Sequence, residues 1–90
     1  MPSVQFTRHL ALHFPDLREG ECAGETLAQV VRELDGRYPG LAGYLVDERG
    51  SLRKHVNIFV NGELLRDRAR LSDPVADGDQ LFIMQALSGG

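Results

Sequence analysis

The chain has a single cysteine, Cys22, a single lysine, Lys54, and no tryptophan. One cysteine excludes an internal disulfide, a cysteine-rich metal site and an iron–sulfur cluster, and it makes the reducing cytoplasm the expected compartment. No stretch approaches the roughly 18 apolar residues that a membrane span requires. The first residues lack the basic region and apolar run of a secretory signal. No membrane partner is expected. An excess of cations is missing too: 10 Lys and Arg stand against 13 Asp and Glu, for a net charge of -3. Nucleic-acid affinity rests on neutralising backbone phosphates with Lys and Arg, so no nucleic-acid partner is expected. Ninety residues suffice for one small core, burying roughly 60–70% of the unfolded surface. They leave no room for a deep cleft between two lobes. Repeats, linkers and low-complexity tracts are absent.

What is present alternates between two periods. Val4-Gln5-Phe6-Thr7-Arg8 alternates apolar and polar residues and reads as a strand with Val4 and Phe6 inward. Its pattern continues unevenly towards Leu10, Leu12 and Phe14, and Pro15-Asp16 marks a turn. A weak second strand within residues 18–23 completes a hairpin with the first. Thr26-Leu27-Ala28-Gln29 fits a capping box, and Leu27, Val30, Val31, Leu34 and Tyr38 behind it share one helical face. Pro39 ends this helix of about three turns. Leu41, Tyr44 and Leu45 suit a short helical turn, and residues 47–51 a solvated loop. Val56-Asn57-Ile58-Phe59-Val60 alternates again, Asn61-Gly62 is a two-residue type I′ hairpin signal, and Glu63-Leu64-Leu65 returns. After the Asp77-Gly78-Asp79 turn, residues 80–85 form the last strand. Strand, strand, helix and three strands describe an α+β fold with one helix on one face of a sheet.

A first hairpin, a capped helix after Gly-Glu-Thr, the Val-Asn-Ile-Phe-Val-Asn-Gly hairpin, Asp-Gly-Asp before the last strand and a terminal Gly-Gly together resemble the ubiquitin-like sulfur carriers of the ThiS/MoaD family. The segment 56–62 looks most like the carrier of thiocarboxylate-dependent cysteine synthesis. Molybdopterin-type carriers often place prolines near the tail, where this chain has Gln85-Ala86. The resemblance implies a ubiquitin-like β-grasp over residues 1–86, with a mixed four- to five-stranded sheet and one main helix. A flexible tail of residues 87–90 follows. It implies a carrier without its own active site, monomeric alone, whose Gly90 carboxylate is adenylated with ATP by an enzyme of the ubiquitin-activating type. A sulfur donor then displaces AMP to give a thiocarboxylate, which a downstream acceptor enzyme uses. No cofactor is expected to be stably bound; the ATP belongs to the partner.

The residue types suit that task. A carboxylate is a poor electrophile until adenylated, and the tail must thread a narrow channel where a Cβ would collide. Glycine has none, which assigns Gly89, with Ser88 and Leu87, to threading. Residues 87–90 reach at most about 13–14 Å. Alternation sorts the third and last strands by face: Val56, Ile58, Val60, Leu81 and Ile83 towards the helix, and Phe59, Phe82 and Met84 onto the open face. An exposed apolar cluster of this kind marks a partner site, and Leu87 extends it. Other constellations carry no site. His9 and His13 suit a metal only on a helix, and their segment reads as strand. His55 has no evident partner. Cys22 reads as a small half-buried residue, Asp77 and Asp79 as turn formers, and Arg66-Asp67-Arg68 with Arg70 as a solvated charged loop, with steering of a partner as its alternative. Two other functions compete with the carrier: a protein modifier joined to lysines through Gly90, and an interaction module with an inert tail.

Overall fold

The computed structural model describes residues 1–86; residues 87–90, and with them the tail assignments of Leu87, Ser88, Gly89 and Gly90, lie outside the described part. In chain order the elements are β1 (Ser3–Phe6), α1 (Arg8–Ala11), β2 (Gly20–Glu21), α2 (Leu27–Arg37), α3 (Leu41–Leu45), β3 (Val56–Val60), β4 (Glu63–Leu64) and β5 (Gln80–Gln85). The strands form one five-stranded mixed sheet in the order β2-β1-β5-β3-β4. The first and last strands pair in parallel at its centre, with Val4 opposite Leu81 and Phe6 opposite Ile83. All other pairings are antiparallel. This is the β-grasp arrangement that the resemblance implied.

The helix α2 forms where its apolar spacing and cap coincide. Thr26 accepts from the Gln29 N–H at 3.2 Å. The Gln29 side chain reaches back to the Glu25 N–H at 2.9 Å, one residue earlier than in the standard reciprocal box. Leu27, Val30, Val31 and Leu34 are buried, each worth about 1.5–3 kcal/mol of transfer free energy. They meet Val4, Val56, Ile58, Leu81 and Ile83 from the sheet in one core. The chain leaves the helix at Tyr38, whose ψ of 84° is no longer helical, as the following Pro39 requires.

Three local expectations change. After Phe6 the chain does not continue as a strand: Arg8–Ala11 is one helical turn that buries Leu10. The alternation of Leu10, Leu12 and Phe14 therefore carried no strand register; Leu10 is fully buried and Leu12 is 71% exposed. Cys22 is fully buried, not half-buried; its Sγ lies 3.7 Å from the Val30 carbonyl, and burial pushes the thiol pKa up. The loop after β4 is not simply solvated. Asp67 folds it by accepting from the Ser72 hydroxyl and from the Ala69 and Arg70 N–H groups, while Asp73 accepts from the Arg66 and Asp67 N–H groups at 2.8 Å each.

Gly24 is held more tightly than its place in a loop suggests. A Cβ there would stand 2.6 Å from Val30 Cγ2 and 2.9 Å from the Val30 nitrogen. The nitrogen belongs to α2 and cannot move alone. Gly24→Ala is expected to lower stability by about 1–3 kcal/mol, the cost of overpacking a fitted contact, read from a shift in the urea midpoint.

Carboxylates set the acid limit. The Ser72 hydroxyl and neighbouring N–H groups hold the Asp67 carboxyl below its ordinary range. The Ala76 N–H and the Asn61 amide do the same for Asp79, and the Arg49 and Ser51 N–H groups for Asp47. A carboxyl whose pKa is lower folded than unfolded stabilises fully above its unfolded value, about 3.9. That contribution disappears as pH falls through the folded value. The melting temperature is expected to fall between pH 5 and pH 2, and Asp67→Asn to shrink that fall relative to the wild type.

Candidate functional site

The centre of the sheet places both expected faces. Ile58 opposes Ile83, Phe59 opposes Phe82 and Asn57 opposes Met84 across β3 and β5. Because side chains alternate along each strand, Val56, Ile58, Leu81 and Ile83 point to α2 and are buried; Val60 packs against the core only partly. Phe59, Phe82 and Met84 lie together on the other face, each half-buried. The Phe59 and Phe82 ring centroids are 6.4 Å apart with planes inclined by 34°. No helix of the described residues covers them: α2 and its core lie on the side of Ile58 and Ile83.

The register adds residues that reading single strands did not reveal. Gln5 opposes Phe82 from β1 and Leu64 opposes Phe59 from β4. One row therefore runs Gln5, Phe82, Phe59, Leu64 across the open face, and Leu64 is 52% exposed. A hairpin signal at Asn61-Gly62, with φ of 52° and 83° as a type I′ turn needs, was enough to align Leu64 with Phe59. The next row holds Asn57 and Met84. Arg68 donates to Asn57 Oδ1 at 2.6 Å and to the Arg53 carbonyl at 2.7 Å.

The end of β5 is pinned on both sides. Thr7 Oγ1 accepts from the Gln85 N–H at 3.3 Å, and the His55 carbonyl accepts from the Ala86 N–H at 2.8 Å. His55, which has no side-chain role in the sequence pattern, thus holds the chain through its backbone. These two bonds fix the end of β5 just past Met84. Beside it is a hollow of about 290 Å³ lined by Gly43, Tyr44, Arg53, His55 and Gln85.

The remaining constellations bring no chemistry together. The segment of His9 is helical, so the strand argument against a metal there is replaced by a geometric one. His13 lies beyond the helix, its ring edge-on to His9 at 5.8 Å and its Nδ1 3.2 Å from the Tyr44 hydroxyl. Among the described residues no group of three or more His, Cys, Asp or Glu is placed to hold a metal. Asp79 is a turn former: it accepts from the Asn61 amide at 3.0 Å and the Ala76 N–H at 2.9 Å. No helix of the described residues is long and apolar enough to cross a membrane.

Comparison with known proteins agrees with this geometry. The sulfur carrier protein CysO of Mycobacterium tuberculosis is 39% identical over 90 residues, covering 98% of this chain and 97% of its own. Small archaeal modifier protein 3 of Haloferax volcanii is 32% identical over 65 residues, 72% of this chain and 70% of its own. Among solved structures, a chain of the Amycolatopsis orientalis BexX/CysO complex superposes with a TM-score of 0.85 at 30% identity, with complete coverage of both chains. Residues 7–90 match the ThiS family. With a β-grasp body and a family match that runs from residue 7 to residue 90, the chain belongs to the ThiS family.

Proposed function

We propose that the protein is a sulfur carrier whose Gly90 carboxylate is the reacting group. A carboxylate oxygen of Gly90 attacks the α-phosphorus of ATP in a partner enzyme of the ubiquitin-activating type, and pyrophosphate leaves. A sulfide-level donor then attacks the acyl carbon; the C–S bond forms as the bond to AMP breaks. The thiocarboxylate is a nucleophile carried to an acceptor enzyme. The chain itself brings no catalytic group, and the ATP is bound by the partner. One observation carries this reading: β5, pinned at its end by Thr7 and His55, is the strand that bears Phe82 and Met84, and Gly89-Gly90 follows it within five residues in the sequence. Phe59, Phe82 and Met84 dock on the partner while Leu87, Ser88 and Gly89 thread its channel. The likeness to CysO carriers favours an acceptor of the cysteine-synthesis kind over molybdopterin or thiamin synthesis.

A second reading, conjugation to protein lysines through the same activated Gly90, is favoured by the relation to the archaeal modifier. With Lys54 as the only internal lysine, self-polymerisation is confined to one linkage. Intact-mass analysis of protein from its native host separates the two. Sulfur in place of one oxygen, located to Gly90 by fragmentation, is the expected result. Isopeptide adducts on other proteins support conjugation instead, and an unmodified chain under sulfur demand overturns both.

A further inference from the structure

The two ends of the sheet differ in charge. Around the start of β5 and the strand ends beside it stand Glu21, Glu63, Asp77 and Asp79. At the opposite end, about 17 Å away at the rise of a strand, Ala86 leaves β5 among cations. Arg8 lies just past β1 on one side; Arg53 and Lys54 lie just before β3 on the other. Their immediate neighbours Thr7 and His55 make the two hydrogen bonds that pin the end of β5. Arg68 joins them on the β3 side, its guanidinium oriented by Asn57 and the Arg53 carbonyl. Arg53 Nε is oriented in turn by the Gly43 carbonyl at 2.9 Å.

None of these cations makes an ion pair among the described residues, although Arg53 lies within electrostatic reach of Asp47. The one ion pair among the described residues joins the Met1 amine to Asp77 at 2.8 Å, at the other end of the sheet. The nearest acid in sequence to Arg68, Asp67, is turned into its own loop. Arg8, Arg53 and Lys54 are exposed. A chain of net charge -3 thus presents unpaired cations where its tail departs, next to the Asn57–Met84 row of the open face. Local fields of this kind steer encounter and fix orientation.

We propose that Arg8, Arg53, Lys54 and Arg68 form a cationic collar that docks against carboxylates bordering the mouth of the adenylating enzyme's channel, and so aims the tail into it. The proposal rests on the carrier reading above. The cations flank the tail root from two strands on opposite sides of β5. They do not converge on one point, which suits several carboxylates around an opening better than a single phosphate.

The test uses the full chain with its adenylating enzyme, ATP and sulfide, following thiocarboxylate formation by mass. Arg8 and Lys54 make no side-chain hydrogen bond among the described residues, so Arg8→Glu/Lys54→Glu reverses charge without removing a structural contact; circular dichroism melts confirm the fold. At about 0.01 M salt, where charges act over about 30 Å, this double variant is expected to raise KM for the carrier at least about tenfold. It leaves kcat and KM for ATP unchanged. The difference is expected to vanish near 1 M salt. Lys54→Arg behaves as wild type, and at about 0.15 M salt, where charges act over about 8 Å, Arg32→Glu/Arg49→Glu, with the same change in net charge, stays within about twofold while the collar variant keeps its defect. A salt-insensitive KM equal to that of wild type overturns the collar while leaving the carrier intact, and a change confined to KM for ATP overturns it in favour of phosphate contact. A wild-type chain that is not adenylated at all overturns the carrier reading, and the collar with it.

Discussion

A chain lacking Gly90 forms no detectable thiocarboxylate with its adenylating enzyme, ATP and sulfide, yet melts at the same temperature as the full chain. The second half of this expectation follows from the fold. Core residues from Val4 to Ile83 all precede the tail, and the backbone bonding that holds β5 closes with Ala86 on His55. The first half follows from reach. Deleting one residue withdraws the carboxylate by up to about 3.3–3.6 Å, and a misplacement of about 1 Å already costs on the order of a hundredfold in rate. The loss is therefore expected to exceed about a hundredfold, and adding free glycine does not restore it. Gly89→Val, which keeps the length but adds a branched Cβ inside the channel, is expected to lose activity comparably with no change in melting temperature. Thiocarboxylate formed at a wild-type rate by the shortened chain would falsify the assignment of the reacting group to Gly90.

The parts of this fold that could be read from the sequence are those where one local signal determined one geometry. Thr26 and Gln29 announce the start of α2, and the structure differs only in the N–H that Gln29 caps. Asn61-Gly62 demands a type I′ turn, and that turn sets the pairing of Phe59 with Leu64. The alternation of 56–60 and 80–85 assigned the two faces correctly because each strand has one buried side. Where the signal failed, long-range contact decided. Leu10, Leu12 and Phe14 continue the strand pattern unevenly, but Leu10 buries itself by turning into a helix against the core. The loop around Arg68 looked like generic charge, since its order depends on Asp67 and Asp73 accepting N–H groups of their own loop. The anchoring of β5 by Thr7 spans 78 residues, a pairing that no local period encodes. At the candidate site, therefore, the aromatic patch was legible and its framing was not.

The uncovered aromatic face carries the second large effect. Phe82 and Phe59 sit at the middle of the row from Gln5 to Leu64, where an interface excludes water best. Aromatic anchors at such centres cost about 2 kcal/mol or more when truncated, which is about thirtyfold in affinity. Phe59→Thr/Phe82→Thr is expected to weaken binding of the adenylating enzyme by about a thousandfold, two such anchors combined. Threonine keeps the strand preference of the site. Because both rings are only half-buried and face away from α2, the folded state loses their mutual contact, about 0.5–1.5 kcal/mol, and only part of the roughly 1.5–3 kcal/mol that full burial of each ring carries; a thermal melt verifies that the variant is folded. Affinity and stability thus separate, which a core substitution such as Ile58→Ala, at about 2–5 kcal/mol of stability, does not allow. Leu12→Ser is the matched control: Leu12 is more exposed than either phenylalanine but lies after α1, outside the sheet rows. Isothermal titration of the three variants against the adenylating enzyme decides the matter. If the double variant binds within twofold of wild type while Leu12→Ser does not, the partner docks at α1 and the open sheet face is left without a role.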